Sequence, residues 1–284
     1  MEWLERWNRA MDHIEENLAG EIRLDTAARI ACCSSFHFQR MFSYMAGVPL
    51  SEYIRRRRMS AAAFALQRGA RVIDLAMMYG YDSPTAFSRA FRSVHGVSPS
   101  GARDKGAPLK AYPRLSFRIT IKGDTQMNYM IQEKDAFRVV GAKAHFDMNV
   151  EESFAKVPQF WAQTMQNGDF EKLCALPAKD PCGVLGVSTC MNGRDFDYYI
   201  AVATDAPAPD GLSEYMVPAA TWAVFECVGP MPQAVQQLQT RIVSEWLPAS
   251  GYEYADAPDI EVYPQGDTQA ADYRCEVWLP IKKA

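Results

Sequence analysis

The first hundred residues of the chain contain two copies of one segment, offset by 49 positions. The offset places identical residues in register at serine, aromatic, arginine and glycine positions. The matches are Ser34 with Ser83, Phe38 with Phe87, Arg40 with Arg89, Phe42 with Phe91, and Gly47 with Gly96. An internal repeat of this kind indicates one supersecondary unit that occurs twice. The fold is therefore expected to contain two equivalent units in its first part.

Each copy of the repeat has the pattern of a helix, a tight turn and a second helix. In the first copy, residues 24–30 form an Ala-rich amphipathic segment, and Ser34 stands at the N-cap position of the next helix. In the second copy, residues 72–79 form the first helix and Ser83 is the N-cap. Pro84 follows at the first helical position, where proline is favoured. The sequence therefore predicts two helix-turn-helix units.

The second helix of each copy has a phenylalanine stripe on one side and different residues on the other. Phenylalanines four positions apart share the buried stripe. Near the N-terminal end of such a helix, Arg reads guanine, Gln reads adenine, and an aromatic ring or a Thr methyl contacts thymine. A plain solvent-exposed surface is the alternative, and two copies in register favour DNA. The residues predicted to read DNA are Phe36, Gln39 and Arg40 in the first copy and Thr85, Ser88 and Arg89 in the second.

A long helix is predicted between the two copies, over residues 51–68. Its length of roughly 27 Å is of the order of the roughly 34 Å that separates successive major grooves on one face of DNA. The run Arg55–Arg58 lies on this helix. We expect one or two of its guanidinium groups to contact phosphate, and a solvated helix face is the alternative.

The net charge changes sign along the chain. Residues 1–126 contain 19 Lys and Arg against 12 Asp and Glu, whereas residues 127–284 contain 11 against 22. A basic half joined to an acidic half is typical of a chain in which one half binds a polyanion.

Residues 6–105 resemble the AraC/XylS family of transcriptional regulators, within its MarA/SoxS/Rob-like branch. The resemblance is carried by Phe36-His37-Phe38-Gln39-Arg40-Met41-Phe42, Phe87-Ser88-Arg89-Ala90-Phe91 and Gly96-Val97-Ser98-Pro99. It implies that the DNA-facing set given above is extended by Pro84. The chain departs from the branch at Pro84, which offers no amide side chain to a base.

Strand and helix signals alternate twice after residue 126, in the order strand, helix, strand, strand. The first set is 136–146, 152–165, 183–189 and 196–204, and the second is 215–228, 231–246, 259–263 and 274–281. Two such units predict an α+β domain with one antiparallel sheet and both helices on one face. The predicted organisation is an all-α double helix-turn-helix domain at 1–106, a linker at 107–126 with an extended piece at 115–121, and the α+β domain at 127–284.

The last two strands supply candidate ligand-binding residues. Because alternate side chains of a strand share a face, one set is predicted to meet the helices and the other an open face. The first set is Ile260, Val262, Cys275, Val277 and Leu279, and the second is Glu261, Tyr263, Glu276 and Trp278. Two carboxylates beside aromatic rings predict a pocket for a cationic or polar aromatic ligand. A solvated sheet face is the alternative.

Residues 127–284 resemble GyrI-like effector-binding domains. The resemblance is carried by Phe160-Trp161, Trp246-Leu247-Pro248, Ile260-Glu261-Val262-Tyr263 and the segment from Cys275 to Ile281. It implies that Glu261 is the acidic group of a ligand pocket, and it adds Trp161 to the candidate ligand-binding residues.

The sequence thus predicts a cytoplasmic transcriptional regulator that binds double-stranded DNA and a small-molecule effector, with RNA polymerase as a further partner. No catalytic residue, cofactor or metal site is predicted, since the seven cysteines include no C-x-x-C pair and are read as small buried hydrophobic residues. Two alternatives stay open: a small-molecule hydrolase that uses a pocket Glu, and a protein-interaction module on a constitutive DNA-binding protein. No G-x-S-x-G motif supports the hydrolase.

Overall fold

The computed structural model describes residues 2–104, 106–118, 126–147, 150–189 and 195–283. The chain divides into two compact units, Met1–Ala31 with Ala46–Arg118 and Cys32–Met45 with Ile119–Ala284. The second unit thus includes a segment from within the first predicted helix-turn-helix. The domain limits predicted from the sequence stay a prediction, because contacts within one conformation do not test where an independently folding domain begins.

The helices before the sheet follow the predicted pattern closely. They are α1 Glu2–Glu16, α2 Leu24–Ile30, α3 Ser35–Ala46, α4 Leu50–Gln67, α5 Val72–Met78 and α6 Pro84–His95. The repeat pattern did not predict α1. All but α3 lie in the first unit, and α3 lies in the second except for its last residue.

The second copy of the repeat forms the predicted helix-turn-helix. Ser83 Oγ accepts a hydrogen bond from the backbone N–H of Ala86 at 3.1 Å, and Pro84 occupies the first turn of α6. Gly96 ends the helix with a φ of 81°, a conformation that glycine adopts without strain. Phe87 and Phe91 are fully buried in the core of this unit. The predicted cap and stripe of α6 are confirmed.

The four arginines of α4 bond within the protein, which excludes the alternative of a merely solvated helix face, and contact of one or two of them with phosphate stays a prediction. Arg57 pairs with Glu15 at 2.8 Å, and Arg58 donates to backbone carbonyls, including that of Leu18 at 3.0 Å. The remaining two, Arg55 and Arg56, pair with Glu52. Buried carboxylates and carbonyls need such donors, and the run supplies them.

The predicted linker begins as a packed segment of the first unit. Tyr112 and Leu109 lie against the core of α4, α5 and α6, and Phe117 makes an edge contact with Trp7 at 5.7 Å between ring centroids. Residues 115–118 belong to no described strand and 119–121 lie outside the described residues, so the extended piece at 115–121 stays a prediction.

One antiparallel sheet forms the centre of the second unit. Its strands are β1 Tyr129–Lys134, β2 Phe137–Asp147, β3 Val184–Ser188, β4 Asp195–Ala203, β5 Ser213–Val217, β6 Ala220–Val228, β7 Tyr252–Tyr254, β8 Asp259–Tyr263 and β9 Arg274–Lys283. The spatial order is β1-β6-β9-β8-β3-β4-β2-β5, with β7 beside β9. The region predicted as one strand at 215–228 is two strands, β5 and β6.

The helices after β2 are α7 Val150–Gln166, α8 Asp169–Cys174, α9 Gln233–Arg241 and α10 Leu247–Ser250. A π-helical turn, Ile242–Trp246, joins α9 to α10, so the helix predicted at 231–246 is interrupted. The units β2-α7-β3-β4 and β6-α9-β8-β9 confirm the two predicted βαββ repeats.

The face of β8 that carries Glu261 and Tyr263 is half-buried beneath helices and the opposite face is buried, which corrects the predicted open face. Ile260 pairs with Trp278 and Glu261 with Val277 in the β8–β9 register. The face with Ile260 and Trp278 packs into a core that includes Trp222, and the face with Glu261 meets the helices. The hydrophobic residues of β8, Ile260 and Val262, therefore face the core formed by other strand residues. The face that the helices cover carries Glu261 and Tyr263.

Candidate functional site

A cavity of about 970 Å³ lies on the helix-covered face of the sheet. Its walls come from α3, α7, α8 and α9 and from the strands beneath them, and they are mainly apolar and aromatic. Glu261 and Arg40 are the formally charged side chains among its described lining residues. The volume and the few polar groups are typical of a small-molecule site.

Glu261 is held on the cavity wall by hydrogen bonds from three side chains. Gln239 Nε2 donates to Oε1 at 2.7 Å, Tyr263 Oη donates to Oε2 at 2.9 Å, and Tyr198 Oη approaches Oε2 at 3.4 Å. Trp161 Nε1 donates in turn to Tyr198 Oη at 3.1 Å. Burial, reinforced by the charge of Glu261, raises the pKa of both tyrosines well above the ordinary value. The tyrosines therefore stay protonated and present donors to the carboxylate.

The structure brings together three of the five predicted ligand-binding residues. Glu261, Tyr263 and Trp161 line the cavity. Glu276 and Trp278 lie on the opposite face, where Trp278 Nε1 donates to Glu276 Oε2 at 2.7 Å. The prediction that they share the face of Glu261 is wrong, because the assumed alignment of β8 with β9 was shifted by one residue, which exchanges the two faces.

The DNA-reading residues predicted on α3 are packed against the sheet rather than facing outward. Phe36 and Gln39 are buried, and the ring of Phe36 lies 5.1 Å from that of Phe196 on β4. The side chain of Arg40 is 14% exposed. The prediction of an outward face is therefore wrong for this conformation. Apolar residues that are distant in sequence, such as Phe196, cover the N-terminal turns of α3.

Arg40 connects α3 to the acidic wall of the cavity. Its Nη1 lies 2.8 Å from Asp259 Oδ2, an ion pair whose angle is not that of a hydrogen bond. Its Nε donates to Tyr44 Oη at 3.3 Å, and Tyr44 Oη donates to Gln239 Oε1 at 2.7 Å. Gln239 also donates to Glu261. A continuous polar path thus joins the predicted DNA reader to the predicted effector-binding acid.

The electrostatics of this path are set by burial. Burial, opposed by Arg40 and reinforced by Glu261, raises the pKa of Asp259 to about 6. Burial, reinforced by Arg40, lowers the pKa of His37 to about 3. His37 therefore stays neutral near pH 7 and stacks on Tyr254, with 4.1 Å between ring centroids. Neither carboxylate oxygen of Asp259 accepts a hydrogen bond from the described residues.

The predicted DNA readers on α6 lie where the sequence put them. Pro84, Thr85 and Arg89 are exposed, and Ser88 is partly exposed. Ser88 Oγ donates to the backbone oxygen of Pro84 at 2.7 Å. The N-terminal end of α6 is thus open to a partner, and its contact with DNA stays a prediction.

Four residues of the site, Gln239, Tyr198, Asp259 and Gly186, were not predicted from the sequence. Gly186 lies opposite Glu261 on β3, and a Cβ there would lie 2.3 Å from Tyr198 Oη. A glycine inside a predicted strand is a signal of close approach and could have identified this position. The other three have no such signal, because their role depends on which helix and strand lie beside Glu261.

The described cysteines lie in varied environments, and Cys32 and Cys33 are half-buried. Cys227 and Cys275 are buried as predicted, Cys174 and Cys182 are exposed contrary to prediction, and Cys190 lies outside the described residues. Within the described ranges, no group of His, Cys, Asp and Glu could hold a metal ion. No described helix is long and apolar enough to span a bilayer.

A helix-turn-helix region joined to a sheet domain with a ligand-sized cavity defines the class of DNA-binding regulators with an effector-binding domain. Residues 27–105 match the model of a helix-turn-helix domain, of AraC type. Residues 130–281, more than half of the chain, match the model Cass2, integron-associated effector binding protein. The chain belongs to this family, and it is a transcriptional regulator with an AraC-type DNA-binding region.

Individual relatives support each part. The Right origin-binding protein of Escherichia coli strain K12 is 25% identical over 288 residues, covering 95% of this chain and 96% of that protein. The activator AarP of Providencia stuartii is 43% identical over 88 residues, 31% of this chain and 65% of AarP, so the match spans slightly less than two thirds of it. The structure of SAV2435 bound to tetraphenylphosphonium has a TM-score of 0.51 at 27% identity, covering 55% of this chain and 94% of that one.

Proposed function

We propose that the chain regulates transcription by reading a split DNA site with α3 and α6, and that the cavity beside Glu261 binds a cationic aromatic effector. The observation that carries the effector half is the half-buried carboxylate of Glu261, fixed by donors in a cavity with aromatic walls. A single fixed negative charge among aromatic rings favours a cation that also has apolar surface.

The nature of one relative's ligand supports this choice. The structure of SAV2435 contains tetraphenylphosphonium, a cation surrounded by four phenyl rings. The likeness to that structure covers 55% of this chain, and residues 130–281, which match the effector-binding family, supply most of the cavity lining. Tetraphenylphosphonium is therefore a suitable probe for this cavity.

The DNA half of the proposal assigns sequence reading to Phe36, Gln39 and Arg40 on α3 and to Pro84, Thr85, Ser88 and Arg89 on α6. The positive net charge of residues 1–126 favours binding to the phosphate backbone. RNA polymerase is the partner through which such a regulator acts, and run-off transcription from a selected site tests that contact.

The proposal includes no catalytic step. The histidine of the second half, His145, pairs with Asp197 at 2.8 Å and is not among the described residues that line the cavity. Incubating the chain with tetraphenylphosphonium and with ester or amide analogues, followed by mass spectrometry, tests this part. Turnover of any analogue would favour the hydrolase.

Calorimetry with tetraphenylphosphonium on the wild type, Glu261→Gln and Glu276→Gln tests the effector half. Glu261→Gln removes the charge with little change of volume, so we expect its affinity to fall by about 30-fold or more, as for loss of one partner of a desolvated charge pair. Glu276→Gln makes the same change on the opposite face of the sheet and should bind as the wild type does. Equal affinity in all three proteins would refute the role of Glu261.

A further inference from the structure

We infer that Arg40 on α3 is an internal cation that occupies the effector site, and that a cationic effector releases α3 for DNA binding by competing with it. The inference rests on the proposed function and deepens it, because it states how the cavity and the DNA-reading helix are coupled. In this structure the predicted DNA-reading side chains of α3 are buried against the sheet, so α3 cannot enter a major groove while it is docked.

Two carboxylates of β8 lie near Arg40, Glu261 on the cavity wall and Asp259 in the small adjoining space that Arg40, Tyr44 and Gln239 also line. Asp259 and Glu261 lie on the same face of β8, two residues apart, and Asp259 accepts no hydrogen bond from the described residues. Arg40 is the cation among the described lining residues of the cavity. A buried carboxylate with a half-buried one beside it needs a compensating positive charge, and Arg40 supplies it when α3 is docked.

Docked α3 shares the chemistry of the proposed ligand. The guanidinium of Arg40 lies 5.9 Å from the ring centroid of Phe36 and 5.8 Å from that of Tyr44. All three side chains line the cavity. The helix thus presents a cation surrounded by aromatic rings, which is the ligand chemistry that the wall favours.

A bound cation therefore competes with Arg40. A cavity of about 970 Å³ is present with α3 docked, so a ligand can reach Glu261 beside the helix. A second cation there repels Arg40 and satisfies the carboxylates without it. The bound cation thus destabilises the docked state, and α3 is released from the sheet. DNA and effector then both favour the state in which α3 is released. Linkage then requires each to raise the affinity for the other.

The test uses a cation that is part of the chain. Gln239 Nε2 lies 2.7 Å from Glu261 Oε1, so Gln239→Lys places an ammonium group beside that carboxylate and removes the acceptor of Tyr44. The control is Gln237→Lys, which adds the same charge to the same helix at an exposed position that is not among the described cavity-lining residues. DNA affinity of the full chain is measured by fluorescence anisotropy, without ligand and at fixed salt, on a site selected from random DNA.

We expect Gln239→Lys to bind DNA about tenfold more tightly than Gln237→Lys, within the usual range of coupling between two sites. Equal DNA affinity of the two folded variants overturns the inference. If Gln239→Lys loses its fold, Gln239→Arg and Tyr44→Phe replace it, and unchanged DNA affinity in both overturns the inference as well. These DNA-binding measurements use no ligand. A failure of tetraphenylphosphonium to bind the wild type would therefore count against the proposed effector class only, and the inference about Arg40 would still be tested by the DNA affinities of the variants.

Discussion

At the scale of single residues, the acid of the cavity depends on a glycine on the neighbouring strand. A Cβ on Gly186 would lie 2.3 Å from Tyr198 Oη and 3.0 Å from Glu261 Oε2. Only a residue without a side chain leaves the tyrosine hydroxyl beside the carboxylate. The close approach is therefore part of the effector site and not a general feature of the sheet.

We expect Gly186→Ala to lower the affinity for tetraphenylphosphonium by about tenfold or more, because it separates Tyr198 from Glu261 and weakens a hydrogen bond to a charged group. Calorimetry measures the affinity, and circular dichroism checks that the sheet is intact. Gly101→Ala is the control, since its Cβ would meet Ser98 Oγ at an ordinary 3.4 Å. An unchanged affinity in folded Gly186→Ala would show that the spacing is irrelevant to binding.

At the scale of elements, the docking of α3 on the sheet joins two groups with opposite pKa shifts. The pKa of Asp259 rises from 3.8 to about 6, whereas that of His37 falls from 6.5 to about 3. The folded chain therefore holds more protons at Asp259 and fewer at His37 than the unfolded chain. The stability due to Asp259 is present below pH 3.8 and is lost as pH rises through 6, and that due to His37 is lost as pH falls from 6.5 through 3.

The two contributions oppose each other in the wild type, and single substitutions separate them. Relative to the wild type, we expect the free energy of unfolding of Asp259→Asn to rise between about pH 4 and pH 6, and that of His37→Gln to fall over the same range, each by up to about 3 kcal/mol. Urea unfolding at a series of pH values measures both differences. Differences from the wild type that do not vary with pH would contradict the assigned burial of α3.

An element can be predicted from the sequence when the interactions that stabilise it join residues that are close in the sequence. The caps and phenylalanine stripes of α3 and α6 are local and could be predicted, because Ser34, Ser83 and the phenylalanines act within one or two helical turns. The burial of α3 could not be predicted, since Phe36 meets Phe196 and Arg40 meets Asp259 across long stretches of chain. The predicted orientation of β8 was wrong because both of its faces are covered, with Ile260 and Val262 buried on one face and Glu261 and Tyr263 half-buried on the other, so alternation does not identify the helix-covered face.

At the scale of the whole molecule, the chain combines a DNA-reading region with a sheet domain whose cavity is lined in part by one of the predicted reading helices. The basic and acidic halves indicated two tasks, and the family matches assign DNA binding and effector binding to them. The hydrogen bonds from Arg40 through Tyr44 and Gln239 to Glu261 connect those tasks. DNA binding and effector binding are therefore expected to be thermodynamically coupled.

Fluorescence anisotropy tests whether effector binding and DNA binding are coupled. A labelled, selected DNA site is titrated with the full chain at fixed salt, with and without saturating tetraphenylphosphonium. Arg89→Ala, altered at an exposed position on α6, is the control for sequence-specific binding. Glu261→Gln is the control for the effector site. Coupling predicts that the ligand tightens DNA binding by the wild type about tenfold and leaves Glu261→Gln unchanged. Equal or weaker DNA binding by the ligand-saturated wild type would contradict it.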